Sequence, residues 1–214
     1  MRKLLNVVIS ICLALFVIGS SVIITMNIKN IYYNDIDKLN IESMSNLSRE
    51  DIIENYDYLI DYNLSWKADE FELPSLPSSH NGKIHFEEVR DIFQNVKILT
   101  IITGIISIIG GIIQIRKKEF KFLRNSSILI IVMPVLLAIP IAINFNACFI
   151  MFHKIMFSND YWIFNPEIDP VINMLPETFF MHMGVAILAI MLICSIVLQL
   201  IYRKLKTINY DNLK

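Results

Sequence analysis

The sequence contains few charged residues. Only 18% of its 214 residues are Asp, Glu, Lys or Arg, whereas soluble domains contain about 25%, and the mean hydropathy is +0.54. Charge is missing altogether from four stretches, each close to the roughly 20 residues that a helix needs to cross a bilayer: residues 4–26, 98–115, 126–149 and 179–202. This distribution excludes an ordinary soluble domain and predicts an all-α membrane protein with four transmembrane helices.

Cysteines and catalytic motifs are also scarce. Cys12, Cys148 and Cys194 lie within the uncharged stretches without metal-ligand spacing, so we expect neither disulfides nor a metal site. The G-x-S-x-G, P-loop and H-E-x-x-H motifs do not occur, which leaves no recognisable serine nucleophile, nucleotide loop or zinc helix. A cleaved signal peptide is the alternative for residues 4–26, but further apolar residues follow the small residues 19–21, which favours an uncleaved anchor. We expect no cofactor.

The basic residues are concentrated in three segments. Eleven of the 19 Lys and Arg residues lie in residues 1–3, 116–125 and 203–214, with only two acidic residues among them. Because short basic segments stay on the cytoplasmic side, we predict a multi-pass protein of the cell membrane with both termini in the cytoplasm. These short segments are explained by topology and give no support to nucleic-acid binding.

The segments 27–97 and 150–178 are predicted to form a small extracytoplasmic cap. The cap should be mostly helical, although residues 27–41 contain enough Ile and Tyr for a short β element and the pattern is ambiguous. Ser48, three residues before Asp51, indicates a helix N-terminus.

The third uncharged stretch contains both helix breakers and amides. Pro134 and Pro140 are expected to kink the helix. Asn144 and Asn146 need hydrogen-bond partners in an apolar layer. They have either a structural role or mark a polar opening near the outer surface.

His85 and His153 are the candidate catalytic residues. His85 is predicted to begin an amphipathic helix, whose positive N-terminal end would keep the ring neutral, and His153 directly follows the third stretch. Both would lie at the outer headgroup layer, where a glycerol ester also lies, or would be ordinary capping or surface histidines. His182, inside the fourth stretch, is either functional or hydrogen-bonded to a neighbouring helix. His80 falls in a predicted solvated loop, residues 74–82.

The second cap segment adds further candidates. Trp162 and its neighbours suit an interfacial aromatic belt, and Asn165 lies in a proline-rich loop of stiff shape. Asp169 could orient a histidine through the ring N–H, or be an exposed surface charge.

Three groups of residues resemble the bacterial lipoprotein intramolecular transacylase family, Lit. Tyr56 lies in N-Y-x-x-L-I-D-Y, which is similar to the family's tyrosine-bearing helix. His85 opens H-x-x-E-V-R, which looks like the family's H-x-x-D-V-K element with Glu88 for Asp and Arg90 for Lys. The third group resembles the family's second outer segment: Phe152, His153, Trp162, Pro166, Asp169, Leu175, Pro176, Glu177, Phe179 and Phe180.

The resemblance implies an acyltransferase acting on diacylated bacterial lipoproteins within the membrane lipid. An acyl chain would move from the sn-2 position of the S-diacylglyceryl group to the α-amino group of the lipoprotein's N-terminal cysteine, giving the lyso-form. His85 would be the general base and His153 would stabilise the oxyanion or protonate the leaving oxygen, or the two roles would be exchanged. The alternatives are a non-catalytic membrane assembly or sensor protein, and an acyltransferase acting on free phospholipid.

Overall fold

The computed structural model describes residues 2–67 and 69–211, and its regular secondary structure there is entirely helical. The last residues of the predicted tail, 212–214, lie outside this range. The α-helices are α1 Arg2–Asn27, α2 Asn30–Lys38, α3 Ile41–Ser45, α4 Arg49–Leu64, α5 His80–Arg116, α6 Lys121–Ile143, α7 Phe145–Met156 and α8 Glu177–Asp211, and a short 3-10 helix spans Pro170–Met174.

Four of these helices, α1, α5, α6 and α8, are long and apolar enough to cross a membrane. The predicted all-α architecture with four transmembrane helices is therefore confirmed. No strand occurs in the described part of the chain, so the β element considered for residues 27–41 is replaced by α2. The reason is spacing: Tyr32 and Ile36, both fully buried, are four residues apart and therefore share one face of a helix.

The helices divide into two compact units, of which the first comprises residues 2–24, 96–139 and 186–211. Its helices approach closely through small residues, as expected where packing in lipid replaces the hydrophobic effect. At Gly110 an added Cβ would lie 2.6 Å from Ile9 Cγ1. Hydroxyl groups also link helices, since Ser195 Oγ donates to the Ser127 carbonyl at 2.8 Å.

The second unit comprises residues 25–95 and 140–185 and has an aromatic core. The rings of Tyr32 and Tyr56 stack at 3.8 Å, and Phe179 packs edge-on against both. Ser48 caps α4 as predicted, with its Oγ accepting from the Asp51 amide at 3.1 Å. This unit contains every candidate site residue.

The third uncharged stretch is interrupted at Asn144. Helix α6 continues through Pro134 and Pro140 and ends at Ile143, and Asn144 then adopts an extended backbone and caps α7 by accepting from the Ala147 amide at 2.9 Å. Asn146 donates to Glu177 Oε1 at 2.6 Å. Both amides thus have a structural role: Asn144 caps a helix, and Asn146 bonds to a carboxylate on another helix.

Candidate active site

The structure brings His85 of α5 and His153 of α7 together. Their ring centroids are 6.1 Å apart and the rings are inclined by 33°. At this separation both imidazoles can reach the reacting atoms of one small group by hydrogen bonds. Two histidines that are far apart in sequence therefore share one site.

Aromatic rings enclose this histidine pair. Phe157 contacts both, with centroid distances of 4.8 Å to His85 and 5.6 Å to His153. Phe164 packs edge-on against His85 at 5.4 Å, and Trp162 lies 4.9 Å from His153. Trp162 thus lines the site and also ties its own loop, because its indole N–H donates to the Asn159 carbonyl at 3.1 Å.

His85 is a buried, neutral imidazole. Its side chain is only 5% exposed, and its Nδ1 has no hydrogen-bond partner in the described part of the chain. Burial, and secondarily the nearby His153, lowers the pKa of the His85 ring to about 4, since desolvation penalises the charged form.

The position of His85 in its helix corrects one prediction. Helix α5 begins at His80, five residues earlier than expected, so His85 lies in the second turn, where the field of the helix end has largely decayed. Burial, rather than the helix terminus, keeps the ring neutral. His80 is the exposed first residue of α5 and not part of a loop.

His153 has a defined tautomer. Its Nδ1 lies 2.8 Å from the Phe149 carbonyl oxygen, and because a carbonyl only accepts, Nδ1 carries the proton. The other nitrogen, Nε2, therefore has a free lone pair whenever the ring is neutral. Burial lowers the pKa of His153, and the bond to Phe149 offsets part of that shift.

The side chains of Glu88 and Arg90 bond to two different parts of the protein. Glu88 Oε1 accepts from Asn159 Nδ2 at 2.8 Å, so it ties α5 to the loop after α7. The Arg90 guanidinium donates to the Ser65 carbonyl at 3.3 Å and lies 5.6 Å from the centroid of the Tyr62 ring. Arg90 therefore holds the end of α4.

A cleft of about 420 Å³ adjoins the site. Phe157, which touches both histidines, is one of its walls. The lining residues are Glu88, Ile92, Lys154, Ile155, Met156, Phe157 and Ser158.

Asp169 is placed away from its predicted partner. It is 5% exposed, and its carboxylate accepts from the Ser79 amide at 2.7 Å and the Ser79 hydroxyl at 2.8 Å. It thus fixes the start of α5 rather than a histidine ring. Asn165 shapes the same loop, because its side chain accepts from the Glu167 amide at 3.1 Å and its carbonyl accepts from the Asp169 amide at 2.8 Å.

Tyr56 is buried within the fold, and His182 is hydrogen-bonded within it. The Tyr56 hydroxyl is buried without a partner among the described residues, and burial raises the pKa of this phenol. His182 Nδ1 lies 2.8 Å from Asp35 Oδ2, and Asp35 is 2% exposed. His182 is therefore paired with a buried carboxylate of α2. A hydrogen bond to a neighbouring helix was one of the two roles expected for it.

Sequence reasoning missed four residues that shape these surroundings: Phe149, Phe157, Asn159 and Asp35. A signal for two of them was present. Phe149, His153 and Phe157 recur every four residues, which places them on one helix face. Asn159 and Asp35 carried no such signal, because their partners Glu88 and His182 are distant in sequence.

Among the described residues, no three His, Cys, Asp or Glu side chains are grouped so that they could hold a metal ion. The geometry instead provides two neutral imidazoles, one with an assigned lone pair, inside an aromatic enclosure. In this arrangement the Nε2 lone pair of His153 can accept a proton, and the neutral His85 ring can donate a hydrogen bond.

Comparisons with known proteins gave consistent matches. The family model described as lipoprotein intramolecular transacylase Lit matches residues 7–180. The membrane-integral lipoprotein intramolecular transacylase Lit from Bacillus cereus is similar over 100% of this chain and 99% of that chain, with 41% identity and a TM-score of 0.94.

Two further structures of the Bacillus cereus protein carry mutations. The H85R form covers 99% of this chain and 95% of that one at 40% identity and TM-score 0.91. The H85A form covers 100% and 96% at 40% identity and TM-score 0.90. The comparison with curated proteins gave no match.

Proposed function

This chain belongs to the lipoprotein intramolecular transacylase family Lit, and from that premise we propose how His85 and His153 carry out the reaction. The enzyme is a membrane acyltransferase that acts on lipoproteins. The acyl chain moves from the sn-2 ester of the S-diacylglyceryl group to the α-amino group of the N-terminal cysteine.

The reaction needs little from the protein besides proton transfer, charge stabilisation and orientation. An ester becomes an amide, which is downhill, and the nucleophile is the substrate's own amine. The protein must supply a base for the amine and a donor for the oxyanion. It must also hold amine and ester together, and orientation of this kind can lower a barrier by several kcal/mol.

His153 is the general base in this mechanism. Its Nδ1–H is committed to the Phe149 carbonyl, which leaves the Nε2 lone pair to accept a proton from the amine as the amine attacks the ester carbonyl. The resulting imidazolium then gives the same proton to the glycerol oxygen as the C–O bond breaks. The tautomer of His153 is the observation that favours this assignment over the reverse one.

His85 is the oxyanion donor. Its burial keeps the ring neutral, and a neutral imidazole can donate an N–H to a carbonyl oxygen without giving up the proton. The unpartnered Nδ1 is the atom that would do so.

The aromatic enclosure protects the acyl group. Phe157, Phe164 and Trp162 pack around the imidazoles, and we expect these apolar rings to limit the entry of water, which would otherwise compete with the amine and hydrolyse the ester. The site therefore favours transfer within one substrate molecule over release of a fatty acid.

The setting of the reaction is the outer face of the cell membrane. Both termini are cytoplasmic in this proposal, because the basic segments 1–3, 116–125 and 203–214 follow the positive-inside pattern. The cap segments then face outward, where mature lipoproteins are anchored in the surrounding membrane lipid. Diacylated lipoproteins are the substrates.

Substitution of the histidines tests the mechanism. His153→Gln and His85→Gln should each lower the rate of transfer about 10²–10⁴-fold, the usual contribution of one acid–base or oxyanion group. The rate is followed by mass spectrometry of the N-terminal peptide of a lipoprotein incubated with purified enzyme. His80→Gln, at the exposed start of the same helix, is the matched control and should keep full activity.

Two outcomes would contradict the proposal. Full activity in both His85→Gln and His153→Gln would remove the pair from the mechanism. An isotope label that reaches the amine from added free phospholipid, rather than from the lipoprotein's own sn-2 chain, would make the reaction intermolecular.

A further inference from the structure

One carboxylate beside the histidine pair has an unused oxygen. Glu88 follows His85 by three residues on α5, so the two side chains lie on the same helix face. Its Oε1 is held by Asn159 Nδ2 at 2.8 Å. Its Oε2 is buried and has no hydrogen-bond partner in the described part of the chain.

A buried carboxylate oxygen without a partner needs a hydrogen-bond donor. A carboxylate only accepts hydrogen bonds, and a buried acceptor that lacks a partner costs free energy. Lys154 lines the same cleft, but no ion pair between it and Glu88 occurs among the described residues. The bond from Asn159 fixes the direction of the carboxylate while leaving its second oxygen available to a ligand.

We propose that Glu88 binds the α-ammonium group of the substrate's N-terminal cysteine and so positions the nucleophile beside the histidines. This role rests on the proposed function, because the α-amino group is the one cationic donor that the reaction requires in every substrate. Glu88 is a positioning residue in this scheme. It selects lipoproteins whose amino terminus is free over those already acylated there.

The cleft fits such a ligand. Its volume of about 420 Å³ falls within the range of small-molecule sites. Ile92, Ile155 and Met156 provide apolar walls beside the one carboxylate. This combination suits a cysteine head group whose charge is adjacent to an apolar glyceryl ester.

The protons balance. The ammonium bound to Glu88 first loses one proton to solvent, which gives the neutral amine. As the N–C bond forms, the second proton passes through His153 to the glycerol oxygen, and the ester C–O bond breaks. Glu88 takes no part in the proton transfer.

Binding of unreactive analogues tests this role separately from catalysis. Two ether-linked dialkylglyceryl cysteinyl peptides, which cannot transfer an acyl chain, would be compared in detergent micelles: one with the free α-amine and one in which hydrogen replaces it. Wild-type protein should bind the amine about 10-fold more tightly, as expected for one charge-assisted hydrogen bond. Glu88→Gln keeps an acceptor for Asn159 but loses the charge, and should bind both analogues equally.

Controls separate this role from a structural one. Glu87→Gln, at the exposed neighbouring position, should keep the 10-fold preference. In wild-type protein the preference should also vanish at pH 9.5, above the usual pKa of an α-amino group, about 8, so the test stands even if Glu88→Gln does not fold.

Three results would overturn the role of Glu88. These are equal binding of both analogues by wild-type protein at pH 7, an undiminished preference in Glu88→Gln, and a preference that persists at pH 9.5. None of them bears on whether His85 and His153 catalyse the transfer, because the analogues do not react.

Discussion

The buried His85 ring should make the stability of this protein depend on pH. The unfolded chain has a histidine pKa near 6.5, whereas the folded protein lowers the pKa of His85 to about 4. As pH falls below 6.5 the unfolded state takes up a proton that the folded state refuses, so the stability present at neutral pH is progressively lost. Between pH 7.5 and pH 5.0 this one residue accounts for about 2 kcal/mol.

Thermal unfolding in detergent measures the effect. For a chain of this size, 2 kcal/mol corresponds to about 4–8 °C in Tm. Wild-type protein should therefore lose that much more Tm between pH 7.5 and 5.0 than His85→Gln, whose side chain cannot be protonated. His80→Gln should behave like the wild type because its side chain is exposed. The same pH dependence in wild type and His85→Gln would refute the reasoning that burial keeps this ring neutral.

Two further predictions concern contacts that support the site. Gly82→Ala should destabilise the protein by about 1–3 kcal/mol because the new Cβ would lie 2.5 Å from Asp169 Oδ1, while Gly184→Ala, with open space around it, should not lower Tm. Asp35→Asn should lower the unfolding free energy by about 1–3 kcal/mol through loss of the charged partner of His182. Additive effects of Asp35→Asn and His182→Gln in a double-mutant cycle would show that this pair is not coupled.

Much of the fold could be predicted from the sequence because lipid imposes a simple rule. A helix that crosses a bilayer must exclude charge over about 20 residues, and four such stretches stand out. The interruption at Asn144 could not be predicted in this way, since the stretch from 126 to 149 is uniformly uncharged. The break depends on the hydrogen bond that the Asn144 side chain accepts from the Ala147 amide. Hydropathy contains no information about such a bond.

The site was predicted in part for similar reasons. His153 was recognised because it directly follows an uncharged stretch, His85 because it lies at the start of an amphipathic pattern, and each lies in a motif that resembles the family. Asp169 does not have the histidine-orienting role considered for it. A carboxylate bonds to whichever donor the fold brings near, and here that donor is Ser79. The start of α5 was placed too late since Ser79 and Asp169, 90 residues apart, stabilise its first turn together.

The bond between Asp169 and Ser79 has a consequence for biosynthesis. Ser79, directly before the first turn of α5, bonds to a carboxylate that leaves the ribosome 90 residues later. His153 likewise comes from the later segment. A nascent chain that has inserted only its first two spans therefore lacks the carboxylate that stabilises the start of α5 and the second histidine of the candidate pair, so the site is assembled only after the later segment has been made.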